Sequence, residues 1–130
     1  GSSVSLKCFN KEAHEKYSVE MENDFVGSNP IIMPPLLTPD GFIYILAGNK
    51  IFCIKEQKVI WTKQITSATF ATVFADNSII ITAGKHIIHF DSNGNKSFSF
   101  EAEDLITAPI VLNSMGGLVF CTKNKVYSLD

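Results

Sequence analysis

The sequence has 130 residues, of which 45% are hydrophobic and 18% are charged. This composition is typical of a chain that folds around a packed core, and it excludes a disordered chain. The net charge is −2, and all 11 basic residues are lysine. Without arginine there is no bidentate fork for phosphate or guanine, so nucleic-acid binding is not expected.

In chain order, residues 1–3 (Gly1-Ser2-Ser3) are expected to be a remnant of cloning, and residues 4–130 are predicted to form a single repeat domain. The first strand is predicted to end on Lys7-Cys8-Phe9-Asn10. Lys11–Tyr17 lacks the apolar stripe of a helix and is predicted to be a hairpin loop. Tyr17-Ser18-Val19-Glu20-Met21 alternates apolar and polar residues, which predicts a strand with one buried face.

The next stretch contains Asn29-Pro30 and Met33-Pro34-Pro35, which we expect to hold the chain rigid ahead of a strand instead of forming a binding loop. Short links then separate successive apolar segments, and such links allow only antiparallel hairpins. Four strands are predicted, at approximately Pro35–Thr38, Phe42–Leu46, Lys50–Lys55 and Lys58–Ile65.

The same unit then repeats. Residues 40–55 align without a gap with residues 76–91, which lie 36 positions later (76 − 40 = 36). A third copy, Gly117–Asp130, ends on the same type of four-residue segment. The versions of this tetrad are Lys7-Cys8-Phe9-Asn10, Phe52-Cys53-Ile54-Lys55, Ile88-His89-Phe90-Asp91 and Tyr127-Ser128-Leu129-Asp130. An aromatic residue follows the first three tetrads, at Tyr17, Trp61 and Phe98. A period of about 36–40 residues is typical of blade-type repeats.

Strand chemistry predicts how the units stack. The second strand of each unit (Phe42–Leu46, Ile79–Ile81, Leu118–Cys121) is apolar at nearly every place, which indicates burial on both faces. The last strand alternates, as in Phe98-Ser99-Phe100-Glu101, which indicates one wetter face. We therefore predict an all-β fold of antiparallel four-stranded blade repeats, arranged as a partial or open β-propeller-like stack of about three blades.

The predicted units are approximately 4–28, 29–65, 66–105 and 106–130. The chain opens in the third strand of one blade and ends in the third strand of another, with two complete blades between them. An open stack of this kind is expected to expose an apolar sheet face at each end. Because a large apolar patch seldom stays bare, we expect self-association or a second chain.

The tetrads, each followed by a turn and then an aromatic residue, resemble the repeats of the quinoprotein-like (PQQ-like) β-propeller family. Repeats of that family have a strand ending in Ala-x-Asp, a Thr-Gly turn and then a Trp. In this sequence Asp91 and Asp130 keep the acid, Trp61 keeps the Trp, and no unit has the Thr-Gly turn. The resemblance implies a β-propeller of four-stranded blades, whereas the degenerate repeats give little support for the family's cofactor.

Candidate metal ligands do not converge in this pattern. His86 and His89 are three positions apart, so on a strand they point to opposite faces and cannot bind one ion together. Cys8, Cys53 and Cys121 form no Cys-x-x-Cys pair and are predicted to be small buried apolar residues. No metal ligand is therefore predicted.

Candidate catalytic residues are no better supported. Asp40 and Asp76 occupy equivalent turns and are predicted to be turn acceptors. Gly116-Gly117 is predicted to be a flexible hairpin, and no glycine-rich loop precedes a helix. Trp61 is predicted to pack between blades. No catalytic or cofactor-binding residue and no cofactor are predicted, and the chain is not expected to be an enzyme.

The predicted function is a non-catalytic β-propeller-type scaffold or protein-interaction module, part of a larger protein and self-associating, with no nucleic-acid partner and no membrane insertion. Among proteins with the same repeats are the lumenal stress-sensing regions of transmembrane kinases, which dimerise. That resemblance leaves open an unfolded-protein-responsive dimerisation domain, and it favours an extracytoplasmic or endoplasmic-reticulum location. It also leaves open a fragment of a quinone-dependent dehydrogenase and a carbohydrate-binding propeller segment.

Overall fold

The computed structural model describes residues 2–23, 33–47, 49–112 and 116–129. Within these ranges every regular element is a strand and none is a helix. The strands are β1 Ser2–Phe9, β2 Glu15–Asn23, β3 Leu36–Leu37, β4 Ile43–Ala47, β5 Lys50–Lys55, β6 Lys58–Gln64, β7 Phe70–Val73, β8 Ile79–Ala83, β9 His86–Phe90, β10 Lys96–Glu101, β11 Val111–Leu112, β12 Leu118–Cys121 and β13 Val126–Leu129.

Four antiparallel sheets follow one another along the chain, with strand orders β1-β2, β3-β4-β5-β6, β7-β8-β9-β10 and β11-β12-β13. The all-β prediction is confirmed, and the strand counts are those of two complete sheets flanked by two shorter ones. A closed ring of sheets is not seen among the described residues. The chain divides into two compact units, Gly1–Ile65 and Thr66–Asp130. Ser2 and Ser3, expected to be a cloning remnant, belong to β1.

Side-chain oxygens stabilise the turn between β1 and β2 and the turn between β9 and β10. Oδ1 of Asp91 accepts hydrogen bonds from the backbone N–H groups of Asn93 (2.9 Å) and Asn95 (3.0 Å). Asn10, at the same place in its tetrad, accepts from the residues two and four positions later, at 3.0 and 2.9 Å. Short polar side chains close such turns because they replace a backbone acceptor. Lys55 cannot do this, and there Glu56 and Gln57 both adopt positive φ, as a two-residue hairpin turn requires.

The core of the first unit lies between the β1-β2 hairpin and the sheet β3–β6. Val19 and Met21 of β2 are buried, whereas Ser18 and Glu20 are exposed, so the predicted alternation is confirmed. The buried residues of this core are Val19, Met21, Ile45, Ala47, Phe52 and Ile54, with Leu6, Tyr17, Ile43 and Val59 packed against them.

The core of the second unit lies between the sheets β7–β10 and β11–β13. Its buried residues are Ile80, Ile87, Ala102, Ile106, Ile110 and Phe120, with Phe74, Leu118, Tyr127 and Leu129 packed against them. The Phe120 ring stacks on Tyr127 with centroids 5.0 Å apart, and it meets Phe100 of β10 at 6.1 Å. The tilted contact between Phe100 and Phe120 therefore joins the two sheets, and the stacked contact between Phe120 and Tyr127 lies within the last sheet.

Two predictions about burial need correction. Burial on both faces is confirmed for β4 and β8, but in β12 only Phe120 is fully buried. The alternation predicted for Phe98–Glu101 is not reflected in burial, because every residue of β10 is exposed. The strand β12 belongs to the last, three-stranded sheet, and β10 packs against that sheet, which offers less covering surface than a four-stranded one. Asn29-Pro30, Gly48 and Asp130 lie outside the described residues.

Replacement of Ile54 by Ala tests the packing of the first unit. Ile54 is 0% exposed and belongs to the buried core between the β1-β2 hairpin and the sheet β3–β6, so Ile54→Ala should lower the free energy of unfolding by about 2–5 kcal/mol through lost burial and a residual cavity. Ile60→Ala, at a side chain 46% exposed, is the matched control and should change it by about 0.5 kcal/mol or less. Urea unfolding measures both, and equal losses would contradict the described core.

Candidate functional site

Each of the first three sheets pairs the second residue of its tetrad with an aromatic residue of the strand that follows. The directly opposite pairs are Cys8 with Tyr17, Cys53 with Trp61 and His89 with Phe98. The sequence repeat is therefore also a repeat of register. In the last sheet Ser128 holds the tetrad position, and β13 is the final strand of that sheet in the part of the chain that the structure describes.

A cleft of about 580 Å³ lies between the sheets β7–β10 and β11–β13. We call it the β10–β13 cleft. Its apolar wall includes Phe98 of β10, Leu118 of β12 and Leu129 of β13. The remaining lining residues are Phe74, Ala75, Asp76, Ser78, Ile80, His89, Leu112 and Gly116. A concave, mostly apolar site with a few polar groups is the form that binding sites usually take.

Three polar side chains meet at one side of this cleft. Oδ1 of Asp76 accepts hydrogen bonds from the Ser78 backbone N–H, at 3.0 Å, and from the Ser78 hydroxyl. The hydroxyl bond is the main reason that the pKa of Asp76 lies below its usual value. Asp76 is therefore the turn acceptor that the sequence predicts. The His89 ring stacks on Phe98 at 5.2 Å and meets Phe74 at 6.4 Å.

His89 is held as a neutral ring at neutral pH. Burial lowers its pKa, and the nearby carboxylates of Asp76 and Asp91 oppose that effect without cancelling it. Its Nδ1 is buried and has no hydrogen-bond partner among the described residues.

These groups are close together but are not arranged for nucleophilic catalysis. A serine nucleophile donates its proton to a histidine that an acid orients. Here the Ser78 hydroxyl donates to Asp76 instead. His86 and His89 belong to the same strand but differ in exposure, as predicted for opposite faces. Within the residues described, no group of three metal-binding side chains occurs.

The sequence did not predict that Asp76, Ser78 and His89 line one cleft. Asp76 and Ser78 lie in the turn between β7 and β8, and His89 lies in β9. The available signal was the register: Ile80 opposes His89, so the residues just before Ile80 lie at the same end of the sheet as His89.

The outer face of the last sheet, which points away from β7–β10, carries exposed aliphatic side chains. Val126 is 71% exposed, whereas Ile51 and Ile87, at the equivalent places of the two complete sheets, are both 0% exposed. Val111 is 53% exposed on the same sheet, and Val119 and Cys121 are half-buried. We call Val111, Val119, Cys121 and Val126 the terminal face.

The outer face of the first hairpin is polar. Ser5 donates a hydrogen bond of 2.5 Å to Glu20, and Lys7 and Ser18 beside them are exposed. The expectation of an apolar face at each end is therefore wrong for β1-β2. The apolar residues Leu6, Tyr17, Val19 and Met21 of that hairpin face β3–β6, and the alternate positions hold Ser5, Lys7, Ser18 and Glu20, which water can solvate. Phe9, at the end of β1, is the exception and is 57% exposed.

The three cysteines are free thiols. Cys53 is buried, and burial raises the pKa of its thiol to about 11, opposed by a hydrogen bond to Tyr44. A thiol that stays protonated is unreactive, so Cys53 behaves as the small apolar residue that the sequence predicts. Cys8 and Cys121 are only partly buried.

The chain is similar in fold to the crystal structure of a protein of unknown function from Bacteroides caccae, with a TM-score of 0.61 and 13% sequence identity. The similarity covers 95% of this chain and 49% of that one, so this chain spans about half the length of the structure it matches. No family model and no curated protein matches the sequence. Among the described residues there is no helix with the length and hydropathy needed to cross a membrane.

Replacement of His89 by Phe tests its environment through the pH dependence of stability. The pKa of His89 is lower in the folded chain than its ordinary value of 6.5, so below that pH the unfolded chain binds a proton that the folded chain does not. The free energy of unfolding should therefore fall as the pH drops from about 7.5 to about 5.5. His89→Phe keeps the aromatic stack and should flatten this dependence.

Replacement of the exposed His86 by Phe is the control and should leave the slope as in the wild type. Asp76 and Asp91 have lowered pKa values, so their contribution to stability is lost only at still lower pH, below about 4. Parallel wild-type and His89→Phe curves between about pH 5.5 and about pH 7.5 would contradict the described burial of this ring.

Proposed function

We propose that this chain is a non-catalytic β-propeller-type scaffold, part of a larger protein, that presents its last sheet to a protein partner. Along the chain, two sheets of four strands lie between one of two and one of three strands, and the strands within each sheet are antiparallel. Strand order and register repeat from sheet to sheet, which supports blades as the building unit. A fold alone assigns no function, so the proposal depends on the terminal face.

The exposure of Val126 is the observation that supports an interaction function. Its equivalents Ile51 and Ile87 are completely buried in the two complete sheets. Burial of a side chain of this kind contributes about 1.5–3 kcal/mol. The terminal face resembles the buried faces that carry Ile51 and Ile87, but it is exposed. It gains this burial energy only when another surface packs on it.

A second copy of the chain is the partner we propose. Stacking the terminal face on the first hairpin of another copy would put Val126 against Ser5, Lys7 and Glu20, and burying these polar groups without partners is costly. A two-fold arrangement instead places the terminal face against itself. Apolar groups then cover apolar groups, and the assembly closes as a dimer.

Replacement of Val126 by Lys tests the dimer. Val126→Lys puts a charge in the proposed interface and should raise the dimer dissociation constant about tenfold or more, because removing the charge from water is unfavourable. Analytical ultracentrifugation over a concentration series measures this constant. Thermal unfolding of the same sample checks that the variant folds, as expected for a side chain 71% exposed.

Leu37→Lys is the matched control, because Leu37 is 66% exposed and belongs to the first unit. Its association should equal that of the wild type. A wild-type chain that stays monomeric at hundreds of micromolar, or a Val126→Lys chain that dimerises unchanged, would refute the proposed interface.

A further inference from the structure

One asparagine of the chain lies in the acceptor motif for N-linked glycans. The motif is Asn-x-Ser/Thr, in which x is any residue except proline. Of the nine asparagines in the sequence, Asn95 alone meets it, with Lys96 next to it and Ser97 two positions on. Such a motif is used where it lies on the surface, so its place in the fold is the observation that matters.

Asn95 closes the turn between β9 and β10. Its backbone N–H donates to Oδ1 of Asp91 at 3.0 Å, and its backbone carbonyl accepts from the Asp91 N–H at 2.9 Å. The hydrogen bond from the Asn95 backbone is the main reason that the pKa of Asp91 lies below its usual value, and the Asn95 side chain adds a further one. Backbone groups therefore hold most of this turn, and a substituent on the side-chain amide leaves them in place.

The whole motif is exposed to solvent. Asn95, Lys96 and Ser97 are each exposed, and so is every residue of β10, which follows the turn. The register with β9 shifts between Lys96 and Phe98, which places Ser97 in a bulge. The strand β10 is also the outermost strand of its four-stranded sheet. An enzyme can therefore reach both the Asn95 amide and the Ser97 hydroxyl.

The strand β10 is an edge strand that carries apolar rings. Phe98 and Phe100 are each 38% exposed. The strand begins with a lysine and ends with a glutamate, so it has no net charge, whereas β6 of the other four-stranded sheet carries two lysines and no acid. An exposed edge without net charge is a template for pairing with another chain, and like charges on an edge oppose such pairing.

We propose that Asn95 is an N-glycosylation site and that its glycan shields the exposed edge of β10. An N-glycan is bulky and hydrophilic, and at the residue just before β10 it blocks the approach of a further strand to that edge. This inference is independent of the proposed dimer, because the terminal face belongs to another sheet.

The transfer of a glycan is compatible with the geometry of the turn. Nδ2 of Asn95 forms a bond to C1 of the first sugar, and the bond between that C1 and the diphosphate of a lipid-linked oligosaccharide breaks. The lipid diphosphate leaves, and one proton of Nδ2 is released. The second amide proton stays on Nδ2, so the side chain keeps a donor for the Asp91 carboxylate.

Secretion of the full chain from cultured mammalian cells, behind a cleavable signal peptide, tests the site. The intact mass should exceed that of the polypeptide by one oligosaccharide, and an amidase specific for N-glycans should remove the excess. Ser97→Ala should abolish the modification although it keeps the Asn95 amide, and Ser97→Thr should retain it. Asn93→Gln is the matched control, because Asn93 is exposed in the same turn but lies outside the motif.

Removal of the glycan tests the shielding of β10. The deglycosylated chain should aggregate faster than the glycosylated chain at equal concentration, as light scattering measures. Ser99→Lys should slow aggregation of the deglycosylated chain again, because a lysine in the middle of an exposed edge strand opposes pairing. Thr62→Lys adds the same charge at an exposed position of β6 and should not slow it.

Three outcomes would overturn the proposal. A chain without an added oligosaccharide refutes the site, whether it is secreted or recovered from cell extracts, because the glycan is added before secretion. A modification that persists in Ser97→Ala belongs to another residue and refutes the site as well. Equal aggregation with and without the glycan refutes the shielding of β10.

Discussion

Each apolar sheet face in this protein must be covered by another sheet, and most of the described structure follows from that requirement. In the second unit, Ile80 and Ile87 of one sheet are buried together with Phe120 of the next. Every side chain of this size that leaves water contributes about 1.5–3 kcal/mol, whereas a typical hydrogen bond between neutral groups contributes about 0.5–1.5 kcal/mol. Turn residues determine where strands begin and end, whereas the packing of one sheet on another determines which apolar faces are stable.

The packing of one sheet on another also explains why strands of similar sequence differ in burial. The strands β4 and β8 have the same apolar pattern as β12, yet only the first two are buried at almost every position. Both lie inside four-stranded sheets, whereas β12 belongs to the three-stranded last sheet. The difference arises from the sheet in which each strand lies and not from the amino acids of the strand itself. The strand β10 is exposed although it lies in a four-stranded sheet, because the sheet that packs against it has three strands.

The sequence was sufficient to predict the strands, their antiparallel pairing and their count in each sheet, because these depend on local signals. The predicted strand Lys50–Lys55 is β5, and Phe42–Leu46 differs from β4 by one residue at each end. The cleft was not predictable in this way, because its lining residues come from two sheets, and local signals do not determine how one sheet packs on another. The polar face of the first hairpin was visible as Ser5, Lys7, Ser18 and Glu20, but the expectation treated both ends of the stack alike.

The residue at the second position of the tetrad differs from sheet to sheet, and so does its exposure. This position holds Cys8, Cys53, His89 and Ser128 in the four sheets. At Cys53, which is 0% exposed, only a small apolar group fits, and burial keeps the thiol protonated with a raised pKa. At His89 a larger polar ring is tolerated beside a cleft, although burial lowers its pKa and leaves Nδ1 without a partner among the described residues. Ser128, in the three-stranded sheet, is exposed. From Cys53 through His89 to Ser128 this position thus becomes more polar as it becomes more exposed, because a polar group is inexpensive only where water can still reach it. Cys8 of the first sheet does not follow this order, since it is a thiol that is only partly buried.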